Sequence, residues 1–390
     1  RGFVQLKSGR LLVGAGVAVP EREEAPKSGP DLGWNDTVVY YSDDGVIWEK
    51  SPDILQVELP GENGTRYGAI EPTLVELGDG RVWMLIRDRG GRLYESFSAD
   101  GSRWSKAERT NFISSDSPAA LLRLKDGRIL IVWNPCQFWS DPRSYAMGGR
   151  EVLHAAISAD QGKTWSGFRE ILHETNQVTG GDRGTAYPSP TETADGKILV
   201  VSGQGEGKRA MVLFDPSWLM EKNVSDDVER GPVSWTQYGD EGLTAEHTPK
   251  TRGKCLVISM KSSGLCGAAW NFPGLTRGTL TFHLWVPTGA REIVLGLNDH
   301  FNRVDDVKAA EHLVFRADLN ELARDSWQEV HLTWDTAEAE GQLTMAVNGR
   351  TVKTLNIQRP AACALNYLRL EARSDKNSGA LKLVDVAVRE

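Results

Sequence analysis

The stretch EPTLVELGDGRVWMLIRDRGGRLYESFSADGSRW, residues 71–104, alternates short apolar segments with tight-turn signals. Glu71 and a proline begin the first segment, Asp79-Gly80 turns the chain, and the second segment, RVWMLIR, ends at Arg87. A third segment ends in a Ser-x-Asp-Gly turn that closes at Trp104. Apolar segments of this length between Gly- and Asp-rich turns indicate antiparallel strands. The stretch therefore predicts one blade of a β-propeller.

The same turn recurs through the first half of the chain. The pattern Leu-x-[Asp/Ser]-Gly-[Arg/Lys]-apolar occurs in LKSGRLL, LGDGRVW and LKDGRIL, with TADGKIL as a variant, and its glycines are Gly9, Gly80, Gly127 and Gly196. Ser-x-Asp turns alternate with it and begin at Ser42, Ser98 and Ser158. A repeat every 47 to 71 residues suits one blade each. Because the two kinds of turn stay in phase, the sequence predicts about four blades.

The aspartates of the Ser-x-Asp turns, Asp44, Asp100 and Asp160, allow two interpretations. Their regular repeat could supply metal ligands or catalytic carboxylates. Aspartate and serine also bond the backbone of their own turn, with glycine at positive φ and tryptophan packed into the core. We favour the second interpretation and expect these turns to be scaffold.

Composition excludes several functional classes. The 390 residues carry a net charge of −8, whereas nucleic-acid binding needs a clustered basic face, so we expect no nucleic-acid partner. No apolar run of about 18 residues is present, and we expect no membrane span. The histidines and cysteines lack the spacing of a metal site. Cys255, Cys266 and Cys363 leave two alternatives, a disulfide within this group or buried thiols.

The pattern changes after a charged stretch at residues 221–235, which we take as a domain boundary. SWQEVHLTWD alternates apolar and polar residues as a half-buried strand does, and Asn348-Gly349 between two apolar runs is a strong hairpin signal. Residues 236–390 therefore predict an antiparallel β-sandwich. By pattern this part resembles the concanavalin-like or LamG-like jelly roll. The whole chain is expected to be all-β, with the propeller at residues 1–235.

Two positions repeat around the turn glycines and should be structurally equivalent. Glu71, Ser117 and Tyr187 open the first strand of their blades, each directly before a proline. Seven residues after the glycine, the second strand ends at positions that include Arg87 and Asn134. The innermost strands of a propeller begin at one mouth of the central channel. We therefore expect these side chains to converge on one pocket.

The residues in these positions resemble those of bacterial sialidases. Glu71-x-x-x-Val75-Glu76-Leu77-x-Asp79-Gly80, followed by Arg87, is similar to the fourth blade of that family. GGREVLHAAISADQGKTW, with Arg150, resembles the fifth blade, and Ala186-Tyr187 before Asp195-Gly196 resembles the sixth. GFVQLKSGRLLVG resembles the third blade, so the similarity covers about residues 1–215. It implies a six-bladed propeller of which blades three to six are present.

The resemblance leaves some positions open. The family's first arginine and its acid aspartate lie in the first blade, which we expect upstream of Arg1. A competing register makes residues 1–50 the first blade, with Asp31 as the acid. Arg143 competes with Arg150 for the fifth-blade arginine. Gly203 stands where the family has glutamate, and a proline follows Tyr187.

The resemblance also implies a function. Tyr187 would be the nucleophile and Glu71 its base, while Arg87 and Arg150 would hold the substrate carboxylate. Each of the four also has an ordinary structural interpretation, as a solvated strand end, an ion-pair arginine or a core tyrosine. The leading hypothesis is a retaining exo-glycosidase that releases terminal α-linked sialic acid from glycans, without a cofactor. The alternatives are hydrolysis of another acidic sugar and a non-catalytic glycan-binding protein.

Overall fold

The computed structural model describes residues 2–19, 35–57, 68–140, 149–174, 184–203, 209–239, 242–248, 250, 253–260, 265–337, 340–374 and 379–390. Asp31 and Arg143 lie outside these ranges, so the two alternatives that rest on them stay predictions. Across the described residues the structure is mainly strand, with short 3₁₀ helices at Pro216–Met220 and Ala309–His312. The predicted all-β class is confirmed. No helix in the described part is long and apolar enough to cross a membrane.

The chain forms two compact units, Arg1–Met220 and Glu221–Glu390. The first unit contains four antiparallel sheets, each made of strands that follow one another along the chain. Sheet one comprises β1 (Phe3–Gln5), β2 (Leu11–Ala18), β3 (Asn35–Ser42) and β4 (Glu49–Lys50). Sheet two comprises β5 (Ile70–Glu76), β6 (Val82–Arg87), β7 (Arg92–Ser98) and β8 (Glu108–Ile113).

Sheet three contains β9 (Ala120–Arg123), β10 (Ile129–Trp133), β12 (Val152–Ser158) and β13 (Ser166–His173), with the short β11 (Cys136–Gln137) outside it. Sheet four contains β14 (Ser189–Glu192), β15 (Ile198–Ser202) and β16 (Ala210–Phe214). The first strands contact one another in the order β1, β5, β9 and β14. Four successive sheets with adjoining first strands are consecutive blades of a propeller-like fold.

The repeated glycines have the same geometry in all four blades. Gly9, Gly80, Gly127 and Gly196 have φ between 80° and 95°, where a side chain is strained. Each glycine donates its N–H to the carbonyl oxygen three residues earlier, over 2.9 to 3.1 Å. The turn repeat seen in the sequence is thus one hairpin turn used four times.

The Ser-x-Asp turns bond their own backbone. The hydroxyls of Ser42, Ser98 and Ser158 accept the N–H of the turn glycine at 2.9, 2.7 and 2.8 Å. Each turn aspartate also accepts backbone N–H groups, at 2.8 to 3.0 Å. Trp104 is buried, as expected, but Trp48 is 39% exposed. The geometry is that of scaffold turns.

The propeller unit is stabilised by apolar clusters between neighbouring blades. One cluster joins residues of sheets one and two, including Leu12, Val39 and Met84. Another joins sheets three and four, including Leu130 and Ile198. Because the faces of the blades pack on one another, the ends of the first strands stay available for polar side chains.

The second unit is a sandwich of an eight-stranded and a five-stranded sheet. The larger sheet contains β17 (Val224–Asp226), β19 (Leu243–His247), β20 (Lys254–Ser259), β22 (Arg277–Trp285), β26 (Trp327–Asp335), β27 (Gln342–Val347), β28 (Arg350–Asn356) and β30 (Ala380–Arg389). The smaller sheet contains β18 (Trp235–Gly239), β21 (Leu265–Leu275), β23 (Ala290–Asn298), β25 (Phe315–Asp318) and β29 (Leu365–Ser374). The short strand β24 spans Phe301–Asn302.

One apolar core lies between the two sheets of the sandwich, with Phe282 and Leu332 from the larger sheet and Trp270 and Leu370 from the smaller one. Asn348 and Gly349 have φ of 49° and 77° and join β27 to β28, so the predicted hairpin is present. Because β17 pairs with β30, this unit begins before residue 236. The concanavalin-like character of the unit stays a prediction.

The four cysteines are thiols in the structure. Cys136, Cys255 and Cys266 are buried, and burial raises the pKa of the Cys266 thiol to about 11. Of the two alternatives left by the sequence, the structure has thiols rather than a disulfide, buried at Cys255 and Cys266 and partly exposed at Cys363.

Candidate active site

Glu71 and Arg87 are brought together by one hairpin of sheet two. The strands β5 and β6 pair with Ile70 opposite Arg87, and the register then shifts before Thr73, which leaves Glu71 in the irregular part. Its φ of 47° is a left-handed conformation that is strained for a side chain of this kind. The Glu71 carboxylate accepts a hydrogen bond from Arg87 Nη1. The Arg87 side chain is 2% exposed and the Glu71 side chain is 36% exposed, so a buried arginine is paired with a carboxylate that solvent can reach.

Tyr187, from the loop that leads into sheet four, reaches the same point. Its hydroxyl donates to Glu71 Oε1 at 3.1 Å and accepts from Arg87 Nη1 at 3.1 Å. Tyr187 also has a left-handed backbone, with φ of 63°. The structure therefore places three of the four predicted site residues in direct contact, although they come from blades two and four of this chain.

Arg150, the fourth predicted residue, lies just before β12 and faces the Tyr187 ring, with its guanidinium carbon 5.8 Å from the ring centroid. Its carbonyl oxygen accepts the N–H and the hydroxyl of Thr185 at 2.7 and 3.0 Å. The backbone that carries Arg150 is thus tied to the segment that carries Tyr187. Arg150 is buried, which fixes its position beside the phenol.

Asp116 is a site residue that the sequence did not predict. Its carboxylate accepts Arg87 Nε at 2.7 Å and Arg89 Nε at 3.1 Å, and its carbonyl oxygen accepts Arg150 Nη2 at 2.8 Å. The signal that could have found it is its position directly before Ser117, one of the three positions expected to meet. The expected polar contribution from blade three comes from the residue one place earlier.

Ser117 itself turns away from the other two equivalent residues. Its hydroxyl donates to Asn134 Oδ1 at 2.8 Å, and both side chains are fully buried. Asn134, the counterpart of Arg87 in blade three, donates to Thr185 Oγ1 at 3.0 Å. In blade four, Gly203 donates its N–H to the Ala186 carbonyl at 3.0 Å. These residues support the backbone of the site.

Burial raises the pKa of two acidic groups near Arg87, the Tyr187 phenol and the Asp88 carboxyl. The pKa of Tyr187 is raised, mainly because its phenol is partly buried, although the positive charges of Arg87 and Arg150 act in the opposite direction. Asp88, the residue after Arg87, is buried, and burial raises its carboxyl pKa to about 7. The Gly90 N–H donates to Asp88 Oδ1. At neutral pH the phenol is protonated, so its use as a nucleophile requires a base.

The first half of the chain matches a known family. Residues 1–200 match the model of the BNR repeat-like domain. The chain belongs to this family. The match confirms that the repeated turns of the first half of the chain belong to a known repeat family. No curated protein sequence matches the chain.

Solved structures similar to this BNR-family chain include a sialidase at 16% identity, with a TM-score of 0.36, of which the chain spans 42%. The match covers 100% of this chain. Trypanosoma rangeli sialidase in complex with sialic acid is 13% identical over 98% of this chain and 66% of its own, with a TM-score of 0.35. The Emp46p carbohydrate recognition domain is 9% identical, over 42% of this chain and 92% of its own, with a TM-score of 0.29.

The described residues of this BNR-family chain include no group of three or more His, Cys, Asp or Glu side chains arranged to hold a metal ion. What they do bring together is a phenol, a carboxylate and guanidinium groups. A carboxylate within 3.1 Å of a phenol can accept its proton, and guanidinium groups can bind an anionic ligand beside it.

Proposed function

We propose that this protein is a retaining exo-glycosidase of sialidase type, which hydrolyses terminal α-linked sialic acid on glycans. The observation that carries the proposal is the contact of the Tyr187 hydroxyl with both Glu71 and Arg87, 116 and 100 residues away in the chain. The residue types and their order are those of the family resemblance, and the geometry supports a nucleophile–base pair.

The charges around Tyr187 favour an anionic substrate. Arg87 contacts the phenol directly and Arg150 lies against its ring. A guanidinium group offers a planar pair of donors that matches a carboxylate. A sialic acid carries its carboxylate on the anomeric carbon, so these two arginines would bind that carboxylate and bring the anomeric carbon to the phenol oxygen.

A neutral nucleophile suits this substrate. A carboxylate nucleophile would be repelled at close range by the carboxylate on the anomeric carbon, whereas a phenol carries no charge until its proton leaves. In the first step, Glu71 takes the proton of the Tyr187 hydroxyl as the phenol oxygen attacks the anomeric carbon. The glycosidic C–O bond breaks, and the departing oxygen takes up a proton from a general acid, a role for which sialidases use an aspartate.

In the second step, water attacks the same anomeric carbon as the bond to the Tyr187 oxygen breaks. The water proton passes to the deprotonated general acid, and the Tyr187 oxygen recovers its proton from Glu71. Two displacements at one carbon give retention of configuration. Because burial raises the pKa of Tyr187, proton transfer to Glu71 is the step that makes the phenol reactive.

The test is hydrolysis of an α-sialoside reporter by full-length wild type, Tyr187→Phe and Glu71→Gln. Tyr187→Phe keeps the ring but lacks the attacking oxygen, so we expect turnover to fall to background. Glu71→Gln keeps the hydrogen-bonding shape but cannot accept the proton, so we expect kcat to fall about 10²- to 10⁴-fold.

Tyr41→Phe is the matched control, because Tyr41 makes the same tyrosine–glutamate contact with Glu49, at 2.9 Å, on an exposed part of the same unit. We expect no change in turnover for this variant. If Tyr187→Phe hydrolyses the reporter as fast as wild type, the mechanism is wrong. Wild type that binds sialylated glycans without turnover would instead support the non-catalytic alternative, and activity on other acidic-sugar reporters alone would change the substrate.

A further inference from the structure

Asp116 connects the three arginines of the site. Its Oδ1 accepts Arg87 Nε, its Oδ2 accepts Arg89 Nε, and its carbonyl oxygen accepts Arg150 Nη2, at distances of 2.7 to 3.1 Å. The Asp116 side chain is 0% exposed. One buried residue thus contacts three arginines, which lie on two neighbouring blades.

The contact made by Asp116 fixes the plane of the Arg87 guanidinium. An arginine side chain has many rotamers, and ordering it is costly unless its donors are held. Because Asp116 binds the Nε edge, the Nη1 atom of Arg87 is directed to Glu71 and Tyr187. Loss of this acceptor would remove the contact that holds the Nε edge of the guanidinium.

The Asp116 carboxylate compensates the positive charge of the buried Arg87 side chain. The Arg87 side chain is 2% exposed and the Asp116 side chain is fully buried, and removing one partner of a buried ion pair is costly. Two guanidinium groups share this one carboxylate. A single substitution at Asp116 would therefore act on both arginines.

The segment around Asp116 is itself held in place. The Ser115 N–H donates to the Asn134 carbonyl at 2.9 Å, and the hydroxyls of Ser115 and Ser117 contact each other at 3.0 Å. Ser114 donates its N–H to Gly91 at 3.0 Å. Asp116 is thus carried by a short loop whose backbone is bonded on both sides, which is what an orienting group requires.

We propose that Asp116 is a positioning residue, which holds Arg87 and Arg89 so that the site discriminates a carboxylate-bearing sugar from its neutral counterpart. The identity of that sugar rests on the proposed function. The Asp116 carboxylate binds Arg87 and Arg89, so its effect on the substrate passes through these arginines.

The experiment compares full-length wild type, Asp116→Asn and Asp116→Glu with the control Asp126→Asn, which removes an exposed aspartate–arginine pair at the hairpin turn of sheet three. The readouts are KM and kcat for the sialoside, and inhibition by N-acetylneuraminic acid and by its methyl ester. Asp116→Asn should raise KM and weaken inhibition by the acid about tenfold or more, with little change for the ester. Asp116→Glu should recover part of the discrimination, and Asp126→Asn should leave it unchanged.

Equal losses for acid and ester, or none for the acid, would overturn the proposal. Crystal structures of the variants separate it from the proposed function, because they need no turnover. We expect the Arg87 guanidinium to leave the Tyr187 hydroxyl in Asp116→Asn and to follow the displaced carboxylate in Asp116→Glu. A guanidinium that stays in place in these structures refutes the positioning role. If Asp116→Asn does not fold, the Asp116→Glu structure tests the positioning role. If wild type neither hydrolyses nor binds the sialoside, only the proposed function is refuted.

Discussion

Asp88 provides a direct test of the electrostatics beside Arg87. Its carboxyl is buried, its Oδ2 has no hydrogen-bond partner among the described residues, and its pKa is raised from 3.8 to about 7 by burial. A raised carboxyl pKa means that the folded protein binds this proton more tightly than the unfolded chain. The stabilisation is therefore fully present below the unfolded pKa and is lost as the pH rises through the folded pKa.

The magnitude follows from the two pKa values. Each tenfold difference in proton affinity is worth about 1.4 kcal/mol, so 3.8 against about 7 corresponds to at most about 4 kcal/mol over the whole range. Between about pH 5.5 and about pH 8 the wild type should lose about 2 kcal/mol of this. Asp88→Asn has a neutral side chain that can still accept the Gly90 N–H, so it should not show this loss.

The assay is urea unfolding of wild type and Asp88→Asn across that pH range. As the pH rises, we expect the free energy of unfolding of wild type to fall relative to that of Asp88→Asn. Asp79→Asn is the control, because Asp79 is exposed on the turn of the same blade and Arg81 lowers its pKa, which gives the opposite sign. Parallel pH profiles for wild type and Asp88→Asn would refute the assignment of a buried, protonated carboxyl.

Two further predictions concern the scaffold. Ser98→Ala removes the buried hydroxyl that accepts the Gly101 N–H, so urea unfolding should show a loss of about 1–2 kcal/mol, with KM for the sialoside unchanged. A changed KM would contradict the scaffold role of this turn. In the native protein at about pH 8 a thiol reagent should modify Cys363 at most, because the other three cysteines are buried and a buried thiol resists ionisation. Denaturation should bring the total of reactive thiols to four, and a total of two would show a disulfide.

Local features of the fold could be predicted from the sequence because they repeat. The hairpin glycines at positive φ and the serine and aspartate of the Ser-x-Asp turns depend on residues a few positions apart. Trp48 shows the limit of this reasoning, since the same motif buries Trp104 but leaves Trp48 39% exposed. Burial depends on what the neighbouring blade places above the turn, and no local pattern specifies that.

The repeat predicted site residues correctly only in those blades where the residue at the repeated strand position has its side chain in the site. Glu71, Arg87 and Tyr187 were predicted from their place in the repeat and from the family resemblance, and they do meet. Asp116 was missed because the repeat aligns Ser117 with Glu71, whereas the polar group of blade three lies one residue earlier. Its contacts with Arg87 and Arg89 span 29 and 27 residues, and a sequence pattern does not show which buried carboxylate an arginine will bind.

Backbone conformation distinguishes the positions that contribute to the pocket from the one that does not. Glu71 and Tyr187 each precede a proline, which disfavours the right-handed helical region, and both adopt the left-handed region, at a cost of about 1–2 kcal/mol each. Ser117 also precedes a proline, but it is not among the described residues with positive φ, and its hydroxyl bonds Asn134 within its own blade. The strain is therefore not imposed by the proline. The strain occurs at the two positions whose side chains meet across blades, so we attribute it to the backbone geometry that directs the Glu71 carboxylate and the Tyr187 phenol toward each other. The contacts of Arg87 with both groups offset part of the cost of this strain.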